Sequence, residues 1–259
     1  MIAEGYDAFL FDLDGVLYRG ADPVPHAAES LAWLRSLGRR VAFVTNNSGR
    51  TPERVAERLG AVGIDADVAE VETSALATAS TLADRGIRRA FVIGGPGIVE
   101  ALGAAGIEVA DGEPSEVDAV VVGWDRDADY TKLRVASVLV QHGAALVATN
   151  ADASFPAADG TSWPGAGALL AAVETTTGVR GDVIGKPHAP LLEAALERAG
   201  GGRPLVIGDR IDTDIAGAAA LGWDSLLVLT GISTAADVEA SKVRPTYVAS
   251  DLRALFADD

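Results

Sequence analysis

Two aspartates, Asp12 and Asp14, directly follow the apolar segment 9–11 near the start of the chain. Residues two positions apart in an extended chain lie on the same side, so both carboxylates can face one point. Placing two carboxylates at the end of a buried segment is costly unless a cation or a reaction uses them. Gly15 follows and allows the chain to turn sharply away. The alternative interpretation is an ordinary acidic turn, which an Asp-Gly pair often forms.

A second polar segment follows the apolar residues 41–44. Thr45, Asn46 and Asn47 supply a hydroxyl, two amides and backbone N–H groups that can hold phosphate oxygens. A plain polar loop that leads into a helix cap at Thr51 is the alternative, and the two interpretations are compatible.

A lysine and an acidic cluster follow later apolar segments. The ammonium of Lys186 is a point charge suited to a phosphoryl group, although a surface lysine is the alternative. Asp209, Asp212 and Asp214 follow the segment 205–207, and three carboxylates so close together suit a hard cation. Helix capping explains one or two of these aspartates but not all three.

Short apolar strands alternate with amphipathic helical stretches, and this pattern positions the polar residues. Strands are predicted at 8–11, 41–44, 205–207 and 226–229, and helices at 27–37, 52–62, 213–221 and 234–241. Uniformly apolar strands separated by helices indicate a parallel sheet covered on both faces, so the predicted class is a doubly wound α/β fold. Ligands of such folds bind beyond the carboxyl ends of the strands, where the four polar segments would meet.

Together the segments match phosphoryl transfer by an aspartate, with a nucleophile, an acid/base, phosphate clamps and Mg²⁺. In this order they resemble the four motifs of the haloacid dehalogenase superfamily of hydrolases. The first motif corresponds to Asp12 through Gly15, the second to Thr45, the third to Lys186 and the fourth to 208–214. The resemblance covers nearly the whole chain and implies a Rossmann-like hydrolase core.

The resemblance also implies roles for individual residues. Asp12 would attack phosphorus, and Asp14 would protonate the leaving alkoxide and then activate water. Dehalogenases of the superfamily lack an acid at the Asp14 position, which favours a phosphatase. Mg²⁺ would be held by the Asp12 carboxylate, the Asp14 backbone carbonyl and Asp209, with Asp214 in support. The phosphate would be held by Thr45, the backbone of Asn46 and Asn47, and Lys186.

The spacing of the motifs predicts an inserted domain. The interval between the first and second motifs has room for one helix, whereas that between the second and third is far longer than a crossover needs. A smaller α/β cap domain is therefore predicted at 86–179, and a catalytic core at 1–85 and 180–259. A cap in this position resembles the class IIA branch, which includes 4-nitrophenyl, phosphoglycolate, glycerol-phosphate, pyridoxal and nucleotide phosphatases.

One residue of the predicted cap bears on the substrate. In pyridoxal phosphatase relatives a histidine precedes a proline in the cap loop that faces the active site, and Phe155 holds that position here. This difference argues against pyridoxal phosphate and leaves Phe155 to shield a small substrate or to pack within the cap. The Gly/Ala-rich cap has no evident nucleotide clamp, which favours a small phosphorylated metabolite. A homodimer through the cap is implied by resemblance alone.

Composition limits the partners. The net charge of −16 argues against nucleic acid and anionic membranes, because both attract Lys and Arg. There is no cysteine, so a metal site must use oxygen or histidine ligands. The sequence has no apolar run of about 18 residues, so no membrane span is predicted. The N-terminus lacks a signal-peptide pattern, and we expect a cytoplasmic protein. The acidic, lysine-poor composition fits either a high-GC genome or a halophilic source.

Two alternative functions are compatible with the sequence. A phosphotransferase or phosphomutase of the same superfamily would use the same nucleophile, although the mutase relatives usually carry a cap between the first two motifs. A non-catalytic protein that binds a phosphorylated ligand is the other alternative, and the intact Asp12, Asp14, Lys186 and Asp209 disfavour it.

Overall fold

The computed structural model describes residues 1–156 and 161–256, in two compact units. The first unit comprises Met1–Thr45, Pro52–Glu72 and Lys186–Asp259, and the second comprises Asn46–Thr51 and Thr73–Gly185. The strands in chain order are β1 (Ala8–Phe11), β2 (Tyr18–Arg19), β3 (Asp22–Pro23), β4 (Arg40–Thr45), β5 (Val71–Thr73), β6 (Arg89–Ile93), β7 (Glu108–Ala110), β8 (Ala119–Val122), β9 (Ala145–Ala148), β10 (Ser154–Pro156), β11 (Ser162–Pro164), β12 (Asp182–Val183), β13 (Pro204–Gly208), β14 (Asp224–Val228) and β15 (Tyr247–Ala249). The helices are α1 (Ala27–Ser36), α2 (Pro52–Ala61), α3 (Ser74–Asp84), α4 (Pro96–Ala104), α5 (Tyr130–Gln141), α6 (Ala166–Thr177), α7 (Ala189–Arg198), α8 (Ala216–Ala220) and α9 (Ala235–Ala240). Short 3-10 helices cover Ile2–Gly5, Val68–Glu70 and Leu252–Leu255.

The main sheet has the order β15-β14-β13-β1-β4-β5. Strand β1 is central and parallel to both of its neighbours, β13 and β4. The chain order therefore reverses at β1, which is where ligands bind in open parallel sheets. This architecture confirms the predicted doubly wound α/β class.

The register of the parallel strands brings the predicted site residues to one edge. Phe11 lies opposite Ile207 of β13 and Phe43 of β4. The residues one or two positions beyond these three therefore lie at the same edge of the sheet. They are Asp12, Asp209 and Thr45. All four residues of β1 are buried, since helices cover both faces of the sheet. Helix α1 contributes Leu31 and Leu34 to the same apolar core.

The second unit is an α/β structure of its own. Its five strands have the order β12-β9-β8-β6-β7, and their pairings are parallel. The antiparallel hairpin of β10 and β11 also belongs to this unit. The segment predicted as a cap, 86–179, falls within it, but the unit also includes α3 and Asn46–Thr51. The division of the chain into a catalytic core and a cap at the predicted boundaries stays a prediction.

Tertiary hydrogen bonds explain why Asn46–Thr51 packs with the second unit. The Asn46 carbonyl accepts from the Ser74 hydroxyl at 2.7 Å and from the Asn150 amide at 2.6 Å. The Thr149 hydroxyl donates to that of Ser48 at 2.9 Å. None of these partners is close in sequence, so apolar periodicity did not reveal them.

The helix predicted at 213–221 begins differently in the structure. Ile211–Ile215 forms a π-helical turn, and α8 follows directly. The backbone N–H groups of Asp214 and Ile215 both donate to the Arg210 carbonyl, at 3.1 and 3.2 Å. Single π-helical turns are frequent at functional sites, and this one carries Asp214.

None of the helices in the described part of the chain combines the length and the apolar character needed to cross a membrane.

An ion pair between Arg198 and the buried Glu72 connects α7, the helix that follows Lys186, to the segment 69–72. The Nε of Arg198 donates to Glu72 Oε2 at 2.6 Å, and its Nη1 donates to the Ala69 carbonyl at 3.2 Å. The Glu72 side chain is 3% exposed. Burial raises the pKa of Glu72, and Arg198 partly offsets the rise. The pair therefore depends on Arg198 to keep a buried carboxylate charged.

We predict that Arg198→Met lowers the free energy of unfolding by about 3 kcal/mol at neutral pH, because it leaves Glu72 buried and unpaired. Without Arg198 the folded-state pKa of Glu72 lies further above its unfolded value. The folded protein then takes up a proton as the pH falls, so the deficit shrinks towards pH 5. Urea denaturation at both pH values measures it.

Arg54→Met is the matched control, because Arg54 and Glu57 form an exposed pair within α2. Such pairs contribute about 0.5 kcal/mol or less. Equal losses in the two variants would contradict the prediction.

Candidate active site

Asp12 stands at the carboxyl end of β1. Its backbone N–H donates to the Ile207 carbonyl at 2.8 Å, which extends the ladder between β1 and β13 by one residue. Its side chain is 14% exposed, and one carboxylate oxygen accepts from the Nζ of Lys186 at 2.5 Å. A strand end thus presents one carboxylate that is largely shielded from water yet paired with a cation.

Lys186 is a buried ammonium that lies close to two carboxylates and one backbone carbonyl. Besides Asp12, its Nζ donates to the Val44 carbonyl at 3.3 Å and lies 2.7 Å from Asp214 Oδ1. Burial by itself would lower the pKa of Lys186, but Asp12 and Asp214 outweigh it and raise the pKa above its usual value. Lys186 therefore stays charged although its side chain is only 3% exposed.

Three carboxylates meet beside this ammonium. Oxygens of Asp12, Asp209 and Asp214 all lie within 4.8 Å of one another. Asp209 Oδ2 accepts from the Ile232 N–H at 2.7 Å. Its Oδ1 is buried and has no hydrogen-bond partner among residues 1–156 and 161–256. A buried oxygen without a donor suits a cation ligand, and an all-oxygen, negatively charged set suits Mg²⁺. The residues present therefore fit a divalent cation.

The carboxylates perturb one another's ionisation. Burial raises the pKa of Asp12 well above its usual value, and the charges of Asp214 and Asp209 add to the rise while Lys186 opposes it. Burial and Asp214 raise the pKa of Asp209 to about 6. One ammonium does not balance three carboxylates, so a bound cation would favour the ionised forms.

Two glycines allow the carboxylates to pack so closely. A Cβ on Gly208 would overlap the carboxyl group of Asp214, and a Cβ on Gly15 would overlap that of Asp209. Gly15 also has φ +83, a conformation that favours glycine. Close approach therefore requires glycine at both positions, and the backbone conformation requires it at Gly15 as well.

Two further predicted residues lie in the first unit. Asp14 is exposed, and its backbone forms an isolated bridge with that of Tyr18. Thr45 is buried at the end of β4. The roles predicted for Asp14 as acid/base and backbone ligand, and for Thr45 as a phosphate ligand, stay predictions.

The other predicted residues belong to the second unit. The Asn46 side chain donates to Asp152 Oδ2 at 3.1 Å, and Asn47 Oδ1 accepts from the Gly49 N–H at 3.0 Å. Their predicted role in holding phosphate stays a prediction.

Phe155 is the centre of an aromatic cluster in the second unit. Its ring lies 5.5 Å from that of Trp124 and 6.2 Å from that of Trp163, both edge to face. Trp163 is its cross-strand partner and also carries the Arg126 guanidinium 5.6 Å above its ring. Packing within the unit, one of the two predicted roles of Phe155, is thus observed, and contact with substrate stays a prediction.

The sequence interpretation overlooked the loop that follows β14. This loop, residues 230–233, contacts Asp209 and Gly15. A signal was available, since 226–229 was predicted as a strand and residues beyond strand ends are the ones that bind ligands. The loop carries no acidic or basic side chain, so no charged pattern marks it in the sequence.

The described geometry agrees with comparisons to known proteins. A family model described as haloacid dehalogenase-like hydrolase matches residues 9–108, and a related one, HAD-hydrolase-like, matches residues 183–255. An acid sugar phosphatase from Staphylococcus aureus is 40% identical over 256 residues, which cover 98% of each chain.

Solved structures give the same result. A glycerol phosphate phosphatase from Mycobacterium tuberculosis in complex with magnesium is 38% identical, with a TM-score of 0.93 over 99% of this chain and 79% of that one. A p-nitrophenyl phosphatase from Archaeoglobus fulgidus is 32% identical, with a TM-score of 0.88 over 96% of this chain and 97% of that one.

The chain belongs to the haloacid dehalogenase-like hydrolases, in their class IIA branch. Its strand-end carboxylates and its phosphatase relatives together identify it as a phosphoric monoester hydrolase.

We predict that Mg²⁺ affinity falls as the pH drops through about 6, because the cation and a proton compete for Asp209. While one proton is displaced, the dissociation constant should rise about tenfold per pH unit below that value. Titration calorimetry at pH 7.5, 6 and 5 measures it. Asp212→Asn alters an exposed neighbour and should leave the pH profile unchanged. A Mg²⁺ affinity that does not change over this pH range would contradict the assignment of Asp209 as a ligand.

Proposed function

We propose that this chain is a Mg²⁺-dependent phosphatase that hydrolyses small phosphomonoesters through an aspartyl phosphate on Asp12. The observation that carries the proposal is the buried Lys186 ammonium, 2.5 Å from Asp12 and 2.7 Å from Asp214. It lies where the carboxyl ends of β1 and β13 also bring Asp209 within reach. An ion pair kept merely for stability would need neither the third carboxylate nor its unpartnered oxygen.

Asp12 is suited to nucleophilic attack because its environment controls its charge. Burial and the neighbouring carboxylates disfavour ionisation, and Lys186 favours it. Bound Mg²⁺ would be held by Asp12, Asp209 and the Asp14 carbonyl with support from Asp214, and it would supply positive charge to the phosphoryl oxygens and to Asp12. An Asp12 oxygen then bonds to phosphorus as the bond to the leaving alkoxide breaks. Lys186 donates to the equatorial oxygens, whose negative charge grows in the transition state.

Asp14 handles the protons in this scheme. It is exposed, unlike Asp12, so water and substrate can reach it. Asp14 protonates the leaving alkoxide in the first step. In the second step it accepts a proton from the water that attacks the phosphorus of the aspartyl phosphate, which releases phosphate and regenerates Asp12.

Small phosphomonoesters are the substrates that the relatives favour. Two of those relatives are named acid sugar phosphatase and glycerol phosphate phosphatase. We include in the proposal that Thr45, Asn46 and Asn47 hold the phosphate and that Phe155 shields a small substrate. We also include in the proposal a cytoplasmic location and a homodimer through the predicted cap, 86–179. The phosphatase relatives disfavour a phosphotransferase, a mutase and a protein without turnover.

We predict that Asp12→Asn lowers kcat/KM on 4-nitrophenyl phosphate at least about a thousandfold, because an amide does not form the phosphoryl intermediate. Circular dichroism and the melting temperature report whether the fold is kept. Asp22→Asn, at an exposed position of β3, is the control and should retain activity. Substantial turnover by a folded Asp12→Asn protein would sink the proposal.

Asp14→Asn should affect substrates unequally, because a poor leaving group needs a proton and 4-nitrophenolate does not. We expect kcat/KM to fall about a hundredfold or more on glycerol phosphate. The factor by which it falls on 4-nitrophenyl phosphate should be smaller by about tenfold or more. Rapid-quench measurements on the second substrate should show phosphoenzyme accumulating, since its hydrolysis lacks a base. Equal losses on both substrates would assign Asp14 another role.

A further inference from the structure

We propose that Thr230 is a positioning residue for the metal carboxylate. It fastens the loop 230–233 to the turn at Gly15, so that the loop holds one oxygen of Asp209 and directs the other to the cation. This inference rests on the proposed Mg²⁺ site, and it concerns residues that neither the sequence motifs nor the predicted ligand set includes.

Thr230 joins two parts of the site. Its hydroxyl donates to the Gly15 carbonyl at 2.6 Å. Gly15 directly follows Asp14, whose own carbonyl is one of the proposed cation ligands. The preceding residue, Leu229, donates its N–H to the Ala249 carbonyl of β15 at 2.9 Å. The hydroxyl thus links the first motif to a loop that starts from an anchored strand.

The rest of the loop holds Asp209 at its side chain and its backbone. The Ile232 N–H donates to Asp209 Oδ2 at 2.7 Å, and the Ser233 N–H donates to the Asp209 carbonyl at 3.0 Å. The Ser233 hydroxyl accepts from the Ile211 N–H at 3.1 Å, which fixes the start of the π-helical turn. The hydrogen bond to Oδ2 orients the carboxylate, and the buried Oδ1 has no hydrogen-bond partner among the described residues and is left for a cation.

Close packing makes the arrangement intolerant of displacement. A Cβ on Gly231 or on Gly15 would overlap the Asp209 carboxyl group. The Asp209 carboxylate therefore packs against the loop on one side and against the turn at Gly15 on the other. A shift of the loop would be transmitted to Asp209. Partners that orient a metal ligand in this way typically change metal affinity about 10- to 100-fold when removed.

The test compares Thr230→Val, which keeps the shape and removes the hydroxyl, with Thr230→Ser, which keeps the hydroxyl. Titration calorimetry with Mg²⁺ alone measures affinity without any turnover. We expect the dissociation constant of Thr230→Val to rise about tenfold or more and that of Thr230→Ser to stay within about threefold of wild type. At saturating Mg²⁺ the KM for glycerol phosphate should change little, because the hydroxyl acts on the metal ligand.

Thr246→Val is the matched control. Thr246 accepts from the Ser225 N–H at 3.0 Å, at the opposite end of β14 from the loop. Its loss should lower the melting temperature without changing Mg²⁺ affinity. A folded Thr230→Val protein that binds Mg²⁺ within about twofold of wild type, or equal losses in both Thr230 variants, would overturn the inference.

The calorimetric readout also separates this inference from the proposed function. A wild-type protein that binds Mg²⁺ but hydrolyses no phosphomonoester would refute the phosphatase proposal, and the Thr230 comparison would still be decided by affinity. Normal Mg²⁺ affinity in Thr230→Val, in an active enzyme, would refute the inference alone. Absence of Mg²⁺ binding by the wild type would overturn both.

Discussion

Lys186 keeps a positive charge away from water, and it does so because Asp12 and Asp214 lie within 2.5 and 2.7 Å of its ammonium. A buried charge of this kind is tolerated only with close partners and satisfied hydrogen bonds. Asp12 follows the end of β1 and Asp214 lies in the π-helical turn after β13, so the sheet register and that turn together must place them accurately. Each residue of the cluster therefore depends on the others, and substitution of one leaves buried charges unpaired.

The same cluster carries more negative charge than Lys186 can balance. Burial and this excess together raise the pKa values of Asp12 and Asp209. The excess also makes a divalent cation a stabilising component. The whole chain carries a net charge of −16, which opposes the approach of an anionic phosphate ester. Local positive charge from Lys186 and the cation is thus needed for binding as well as for catalysis.

Rigidity around Asp209 comes from backbone groups rather than from charged side chains. The N–H groups of Ile232 and Ser233 hold the residue, and glycines on both sides bring the chain into contact with it. Backbone donors at the end of a buried strand keep a fixed position, which long side chains do not. The second unit shows a different kind of order, in which Phe155 is fixed by the rings of Trp124 and Trp163.

Local sequence determined the fold class and the chemistry. Apolar runs such as 8–11 and 205–207 are strands because they are buried on both faces, and parallel strands bring polar residues that follow them to one edge. Asp12, Lys186, Asp209 and Asp214 were identified on that basis. Tertiary structure alone decided that Lys186 pairs with Asp214 as well as Asp12, that Asn46 packs with the second unit, and that the loop at Thr230 holds Asp209. The first contact joins charged residues whose pairing depends on where the π-helical turn lies. The other two join residues far apart in sequence through backbone groups and uncharged side chains, which leave no periodic or charged pattern in the chain.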